Sequence, residues 1–266
     1  MKKPFSITIL SVIAVVIFAS SYGCNRKKIT HALPPQGTVT DLPAEELLYS
    51  NDSIAIYKMD SILFFKLQAS HPVSQDTLPY LSDYATAKAL LQGRVIFGGY
   101  NQETGAIDSS INGEMIYALK STKGPDILAH EQPYYWDMAF SRYYPTEDIL
   151  VCEEGHSSDF SFDLKHAVIG PERVGNPAYI RASPTEKYRL NGWFPGQECS
   201  DYFIQIKKDN HYELYTRLPM DLTKEGFDLC TLQEEFWVDD HTLLFRNHYF
   251  GVSDERLGFF RLVIKP

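Results

Sequence analysis

Apolar and polar residues change places at every second position through long stretches of this chain. Only an extended strand with one buried face uses such a repeat. Tyr134, Trp136, Met138 and Phe140 alternate with Tyr135, Asp137, Ala139 and Ser141. Phe160, Phe162 and Leu164 do the same against Ser161 and Asp163. Tyr202, Ile204 and Ile206 alternate with Gln205 and Lys207, and Tyr212 and Leu214 follow across the turn Lys208-Asp209-Asn210. Phe236-Trp237-Val238, then Asp239-Asp240, then Thr242 to Phe245 read as a hairpin, and Phe259 to Ile264 as a final strand. One segment departs from the pattern. Tyr84 to Gln92 is rich in helix formers, with Ser82 or Asp83 as a cap and Gly93 as a terminator. The expected fold is therefore mainly β, with antiparallel sheets in a sandwich or propeller-like stack and one short helix near residues 84–92. The stretch from Phe160 to Arg217 has room for a four-stranded meander of the kind that makes a propeller blade. No regular self-similarity at about 40 residues supports a ring of equal blades.

The chain opens with MKKPFSITILSVIAVVIFASSYGCNRKK. Lys2 and Lys3 give a positive start, and the run from Ile7 to Ala19 is apolar apart from Thr8 and Ser11. The small residues Ala19, Ser20, Ser21 and Gly23 lead directly to Cys24. This arrangement resembles the signal of bacterial lipoproteins and covers about the first 24 residues. The resemblance implies that residues 1–23 are a signal peptide and that the Cys24 thiol carries fatty acid of the palmitate kind. It also implies that the mature chain starts at Cys24, lipid-anchored in the cell envelope, at the outer membrane or on a periplasmic face. Two other readings stay open: cleavage after Ser21, which releases the protein, and an uncleaved leader acting as an anchor. The apolar run is shorter than the usual spanning length of about 20 residues. Two or more acyl chains anchor stably, at about 0.8 kcal/mol per buried methylene. Arg26, Lys27 and Lys28 then lie at headgroup level or serve as a solvated tether. Residues 24–43, with Pro34, Pro35, Gly37 and Pro43, read as a flexible link reaching about 25 Å. Residues 44–266 follow as a β-rich globular domain, with a subdivision near 125 as an equal reading.

Charge and cysteine usage narrow the function classes. The chain carries −9, and discounting Lys2, Lys3, Arg26, Lys27 and Lys28 leaves −14. Such a surface repels phosphate backbones, so nucleic acid is not an expected partner. Three thiols remain beyond Cys24. Cys199 and Cys230 both sit in polar, turn-like sequence and form the preferred disulfide, which closes a loop worth roughly 3–4 kcal/mol. Cys152 ends the apolar run Ile149-Leu150-Val151 and reads as an inert buried thiol.

Common catalytic signatures are absent from the sequence: no G-x-S-x-G, H-E-x-x-H, Walker loop, G-x-G-x-x-G or paired C-x-x-C. No cofactor and no metal are expected. His156, Asp159 and His166, with Glu153 and Glu154 upstream, are the densest set of potential ligands, and they read equally as a solvated loop. Asp137, Glu147, Glu198 and Asp201 are acids that a glycoside hydrolase would need in pairs. The best binding candidate is Asn191 to Glu198. There Gly192, Pro195 and Gly196 make a turn that presents Trp193 or Phe194 beside Gln197 and Glu198, a combination suited to a sugar ring or a protein partner. In the alternative, Trp193 caps the edge of the core.

Asp52-Ser53-Ile54, Asp60-Ser61-Ile62 and Asp76-Thr77-Leu78 resemble the O-glycosylation motif of Bacteroidota, and they read otherwise as capped strand starts. Three function classes follow. The first is a lipid-anchored envelope β domain with a non-catalytic binding or structural role, its partner a glycan or a protein. The second is an envelope hydrolase with a scattered acid pair or His/Asp site, and the third an inhibitor or immunity-type protein.

Overall fold

Strand outweighs helix by 53% to 13%, so the protein is mainly β, as the alternation predicts. The structure is a computed structural model. It describes residues 45–71, 78–120, 126–128, 138–155, 157–196, 199–209, 211–219, 229–248 and 258–265, all within the compact unit Pro43–Pro266. Cys24, the leader and the tether lie outside the described residues, as do Tyr134 to Asp137, Asp76, Thr77, His156, Gln197 and Glu198. No helix among the described residues is long and apolar enough to cross a membrane.

The strands form three sheets, and every pairing is antiparallel. The first sheet joins the start of the domain to its end. It contains β1 (Glu46–Ser50), β2 (Ile54–Met59), β15 (Thr231–Asp239), β16 (Thr242–His248) and β17 (Gly258–Ile264), ordered β1-β2-β17-β16-β15. The β15–β16 hairpin turns at Asp240-His241, where the Asp239 carboxylate accepts the His241 N–H at 2.7 Å. The second sheet has eight strands: β3 (Val95–Asn101), β4 (Ala106–Asp108), β5 (Met115–Leu119), β6 (Ile127–Leu128), β7 (Ala139–Tyr144), β8 (Ile149–Glu154), β9 (Ser158–Asp163) and β10 (Val168–Ile169). It takes strands from both sides of position 125 in the sequence, and β5 pairs β7 at Met115 and Ala139. The third sheet is a meander in chain order, β11 (Arg181–Ala182), β12 (Tyr188–Trp193), β13 (Asp201–Lys208) and β14 (His211–Arg217).

The expected blade-like meander therefore exists, but it begins at Arg181 rather than at Phe160. β9 belongs to the eight-stranded sheet. Between the two sheets the chain makes a short helix, α3 (Pro171–Val174), and a 3-10 turn, Pro177–Tyr179, flanked by Gly170 and Gly175 at positive φ. Proline at the start of each turn and glycine at its flanks stop β9 and β10 from running on into β11.

Two helices cover sheet faces. α2 (Tyr84–Leu90) matches the expected helix, with Asp83 accepting the Thr86 N–H at 2.9 Å and Gly93 at φ +81° just past its end. Its Ala87, with Leu91, packs on Phe97, Ile116, Met138, Phe140 and Leu150 of the eight-stranded sheet. α1 (Ser61–Ser70) was not expected, and Asp60, read above within a glycosylation triplet or strand start, is its N-cap. The Asp60 carboxylate accepts from the Ile62 and Leu63 amides at 2.8 and 3.2 Å. Phe64 plugs α1 onto the first sheet against Phe236 and Phe259.

The first and third sheets form a sandwich. Ile54, Ile56, Leu243, Phe245, Phe260 and Leu262 of one meet Tyr188, Leu190, Tyr202 and Ile204 of the other. The opposite face of β12 and β13 is also buried, yet it carries Arg189, Asn191 and Gln205. Buried polar groups survive only when bonded, and these are. Arg189 Nε and Asn191 Nδ2 both donate to Gln205 Oε1, at 2.7 and 3.0 Å. Asn191 Nδ2 also donates to the Val174 carbonyl, and Gln205 Nε2 to that of Arg173. Gly175, at φ +73°, lies so close to Asn191 that an added Cβ would fall 2.4 Å from its amide oxygen. This network ties the meander to α3.

Candidate functional site

A cleft of about 470 Å³ opens where all three sheets converge. The eight-stranded sheet contributes Arg142, Glu153 and Asp159, and the 3-10 turn Tyr179. The meander supplies Arg181 and Tyr202, and the first sheet Glu235. Phe194, from the segment singled out in the sequence, also lines it.

Local chemistry positions each group. Just beyond β12 the chain folds back on β9, and the Phe194 N–H donates to the Asp159 carboxylate at 2.9 Å. In return the Asp159 N–H donates to the Phe194 carbonyl at 2.7 Å. Ser158 Oγ donates to the Pro195 carbonyl at 3.1 Å. Gly196 stands at φ +104° with Ser158 Oγ 2.4 Å from where a Cβ would be, so only glycine fits this crossing. The turn thus holds the half-buried Phe194 at the cleft beside a carboxylate.

Trp193 goes elsewhere. It ends β12 opposite Asp201, is half-buried, and is not among the residues lining the cleft. Its indole Nε1 is buried with no hydrogen-bond partner among the described residues.

Glu235 reaches the cleft through a bulge. The β15–β16 register shifts between Gln233 and Phe236, and Glu234 takes φ +54° there. The Glu235 side chain keeps only 13% of its exposure, and the nearest cation is Arg181 Nε at 3.8 Å. Burial pushes its carboxyl above the ordinary value, and Arg181 only partly opposes this. Tyr179 and Tyr202 are likewise raised by burial, so both phenols stay protonated donors at neutral pH. Tyr179 Oη and Ser200 Oγ share a hydrogen bond of 3.1 Å.

Beside the cleft, Cys199 and Cys230 form a disulfide. It joins the residues just before β13 and β15, so it staples meander to first sheet. Cys152 is a free thiol with no exposed surface, and burial raises its pKa.

The other sequence candidates do not gather in one place. Asp159 lines the cleft, whereas His166 pairs with Asp163 at 2.7 Å at a different cavity. Among the described residues no group of three or more His, Cys, Asp or Glu is placed to hold a metal ion. Glu147 is bound to Arg189 at 2.8 Å, and Asp201 is a half-buried carboxyl raised by burial that lines neither space. Glu235, Arg142, Arg181 and Tyr179 went unrecognised in the sequence. The available signal was the run Gln233-Glu234-Glu235 between Leu232 and Phe236, where strand alternation calls for an apolar residue at 234.

No protein-family model, characterised protein or solved structure matches this chain.

Proposed function

We propose that this chain is a lipid-anchored β domain of the cell envelope, and that it binds a glycan in the three-sheet cleft. The anchor rests on the leader and Cys24, with their resemblance to lipoprotein signals. The glycan rests on the lining of the cleft. Sugars are held by planar donor and acceptor groups around their hydroxyls and by an aromatic face or edge against their C–H surface. The cleft offers Glu153, Asp159 and Glu235 as acceptors, Arg142 and Arg181 as donors, and Phe194 as the ring. The observation that carries the reading is the two-way backbone and carboxylate link between Asp159 and Phe194, which fixes ring and acceptor side by side.

A glycan array probed with the full chain tests it, followed by titration of any glycan retained. Phe194→Ala should weaken that glycan at least tenfold while the protein stays folded. Unchanged affinity would remove the cleft from consideration. Mass spectrometry of the membrane fraction tests the anchor separately: a diacylated or triacylated Cys24 is expected, and Cys24→Ala should abolish membrane retention.

Glu235 favours a second reading, an envelope hydrolase. A carboxyl whose pKa is raised by burial, lining an open cleft with other carboxylates, is an arrangement that suits a general acid. Turnover of a bound glycan that Glu235→Gln abolishes without weakening binding would select this reading over simple binding.

A further inference from the structure

We propose that a second, larger cavity of about 790 Å³ binds an acidic saccharide, a sugar bearing a carboxylate or phosphate. The space lies between the polar face of the meander and the β9–β10 edge of the eight-stranded sheet, and it shares no lining residue with the cleft. The inference therefore stands or falls independently of the glycan reading above.

Four carboxylates line the cavity, and each is already engaged. Glu147 binds Arg189 at 2.8 Å, Glu186 binds Lys207 at 2.7 Å, and Asp163 holds His166 at 2.7 Å. Glu213 is held by both Lys208 and His211, at 2.9 and 3.0 Å. Two lining cations remain. Lys165 and Arg173 are exposed, and neither side chain meets a carboxylate among the described residues. In a chain of net charge −9, this cavity sets Lys165, Arg173, Arg189 and Lys207 against its four carboxylates, so its lining is balanced rather than acidic. Lys165 and Arg173 can therefore turn to an anion in the cavity without giving up a carboxylate among the described residues. Arg173 adds geometry, since a guanidinium fork meets a carboxylate or phosphate through two parallel hydrogen bonds.

The remaining walls suit a sugar. His166 and His211 face each other across the two sheets, with ring centroids 4.9 Å apart. Their carboxylates use His166 Nδ1 and His211 Nε2, and the second nitrogen of each ring makes no hydrogen bond among the described residues. Those nitrogens can meet hydroxyl groups as donor or acceptor. Ile149, Val168 and Leu214 give an apolar side for a C–H face. The Arg189 guanidinium, 5% exposed, stacks 3.8 Å from the Tyr212 ring centroid, and both residues line the cavity. The volume falls in the range of small-ligand sites, about 300–1,000 Å³.

Calorimetric titration of the full chain with trigalacturonate, glucose 6-phosphate and maltotriose tests the proposal. Saturable binding of one or both anions is expected, weakening with added salt, and the responding anion identifies carboxylate or phosphate as the recognised group. Arg173→Gln and Lys165→Gln should each weaken it at least tenfold, and the double variant should abolish it. Both residues are exposed, so the variants should keep the parent melting temperature, which a thermal scan checks. No saturable binding of either anion, equal binding by the double variant, or maltotriose bound as tightly as the anions would each overturn the proposal.

Discussion

Replacing Cys199 and Cys230 together by alanine isolates the contribution of the staple between the meander and the first sheet. The two residues are 31 apart in sequence. In the chain-entropy description, closing a loop of that length lowers the entropy of the unfolded chain by an amount worth about 3.7 kcal/mol at 25 °C. The folded state should change little. Ser200 N–H still donates to the Cys230 carbonyl at 2.9 Å, and Leu232 N–H still donates to Tyr202 Oη at 3.0 Å, so β13 and β15 stay docked. The effect belongs mainly to the unfolded chain, which gives it a recognisable signature in urea titrations. Stability should fall by about 3–4 kcal/mol, and the denaturant slope should rise, because a longer free loop exposes more surface on unfolding. For a domain of this size the melting temperature should drop by roughly 7–15 °C. Cys152 can stay in place, since a thiol with no exposed surface does not exchange. A loss under about 1 kcal/mol with an unchanged slope would refute the argument that the cross-link acts by restricting the unfolded chain.

Three further outcomes are expected. Glu235→Gln should stabilise the protein at neutral pH, with a pH dependence of fixed sign. The native carboxyl titrates above its ordinary 4.5, so the folded state holds its proton more tightly than the unfolded state. Below pH 4.5 wild type and variant should be nearly equal, and wild type should fall behind as pH rises through the native value. Urea titrations at pH 4 and pH 7 check this, and a gap that widens toward acid would contradict it. Phe64→Ala should cost about 3–5 kcal/mol, since the ring is fully buried against Phe236 and Phe259; chemical denaturation reads it directly. Trp193→Phe removes a buried N–H that has no partner among the described residues, a burial that costs about 1–3 kcal/mol, while keeping most of the ring. Its melting temperature should stay level or rise, whereas Trp193→Ala should lower it.

Much of this fold is legible in the sequence wherever local chemistry decides structure. The β15–β16 hairpin shows because Asp239-Asp240 interrupt an alternating run, and α2 shows because Asp83 and Gly93 bracket helix formers. α1 does not, because Ile62 to Phe65 are four consecutive apolar residues rather than a stripe spaced by three or four. The structure buries only Phe64 of that helix and leaves Ile62 and Phe65 exposed. Alternation also misleads where a strand is covered on both sides. Ser161, Phe203 and Gln205 all occupy the nominally outward positions of β9 and β13, yet all are buried. Of the candidate segment, Phe194 lines the cleft and Trp193 does not, a division set by the tie to Asp159 35 residues away in sequence. Glu235 depends on a bulge, and bulges leave little trace in residue type.

The meander's double burial explains why both spaces flank it. An apolar face closes dry against the first sheet, because Tyr188, Leu190, Tyr202 and Ile204 interdigitate with Leu243 and Phe260. The other face carries Arg189, Asn191 and Gln205, which must direct their hydrogen bonds to specific partners and cannot pack at will. Those partners, Glu147 and the carbonyls of Arg173 and Val174, are few and fixed. On this side the meander therefore meets α3 and the β7–β8 turn through a polar column rather than a continuous apolar layer. Space remains on that side wherever the column does not reach. The larger cavity borders the column itself at Arg189 and Gln205, and the smaller cleft opens where the 3-10 turn and the disulfide hold β13 beside β15. Filling the column with apolar residues, as in Arg189→Met with Glu147→Leu and Gln205→Leu, should let the sheets close. A smaller cavity and no anion binding are expected even with Lys165 and Arg173 intact, read from a crystal structure of the triple variant and calorimetry. Retention of the full volume would mean that the backbone, rather than the buried polar network, holds the sheets apart.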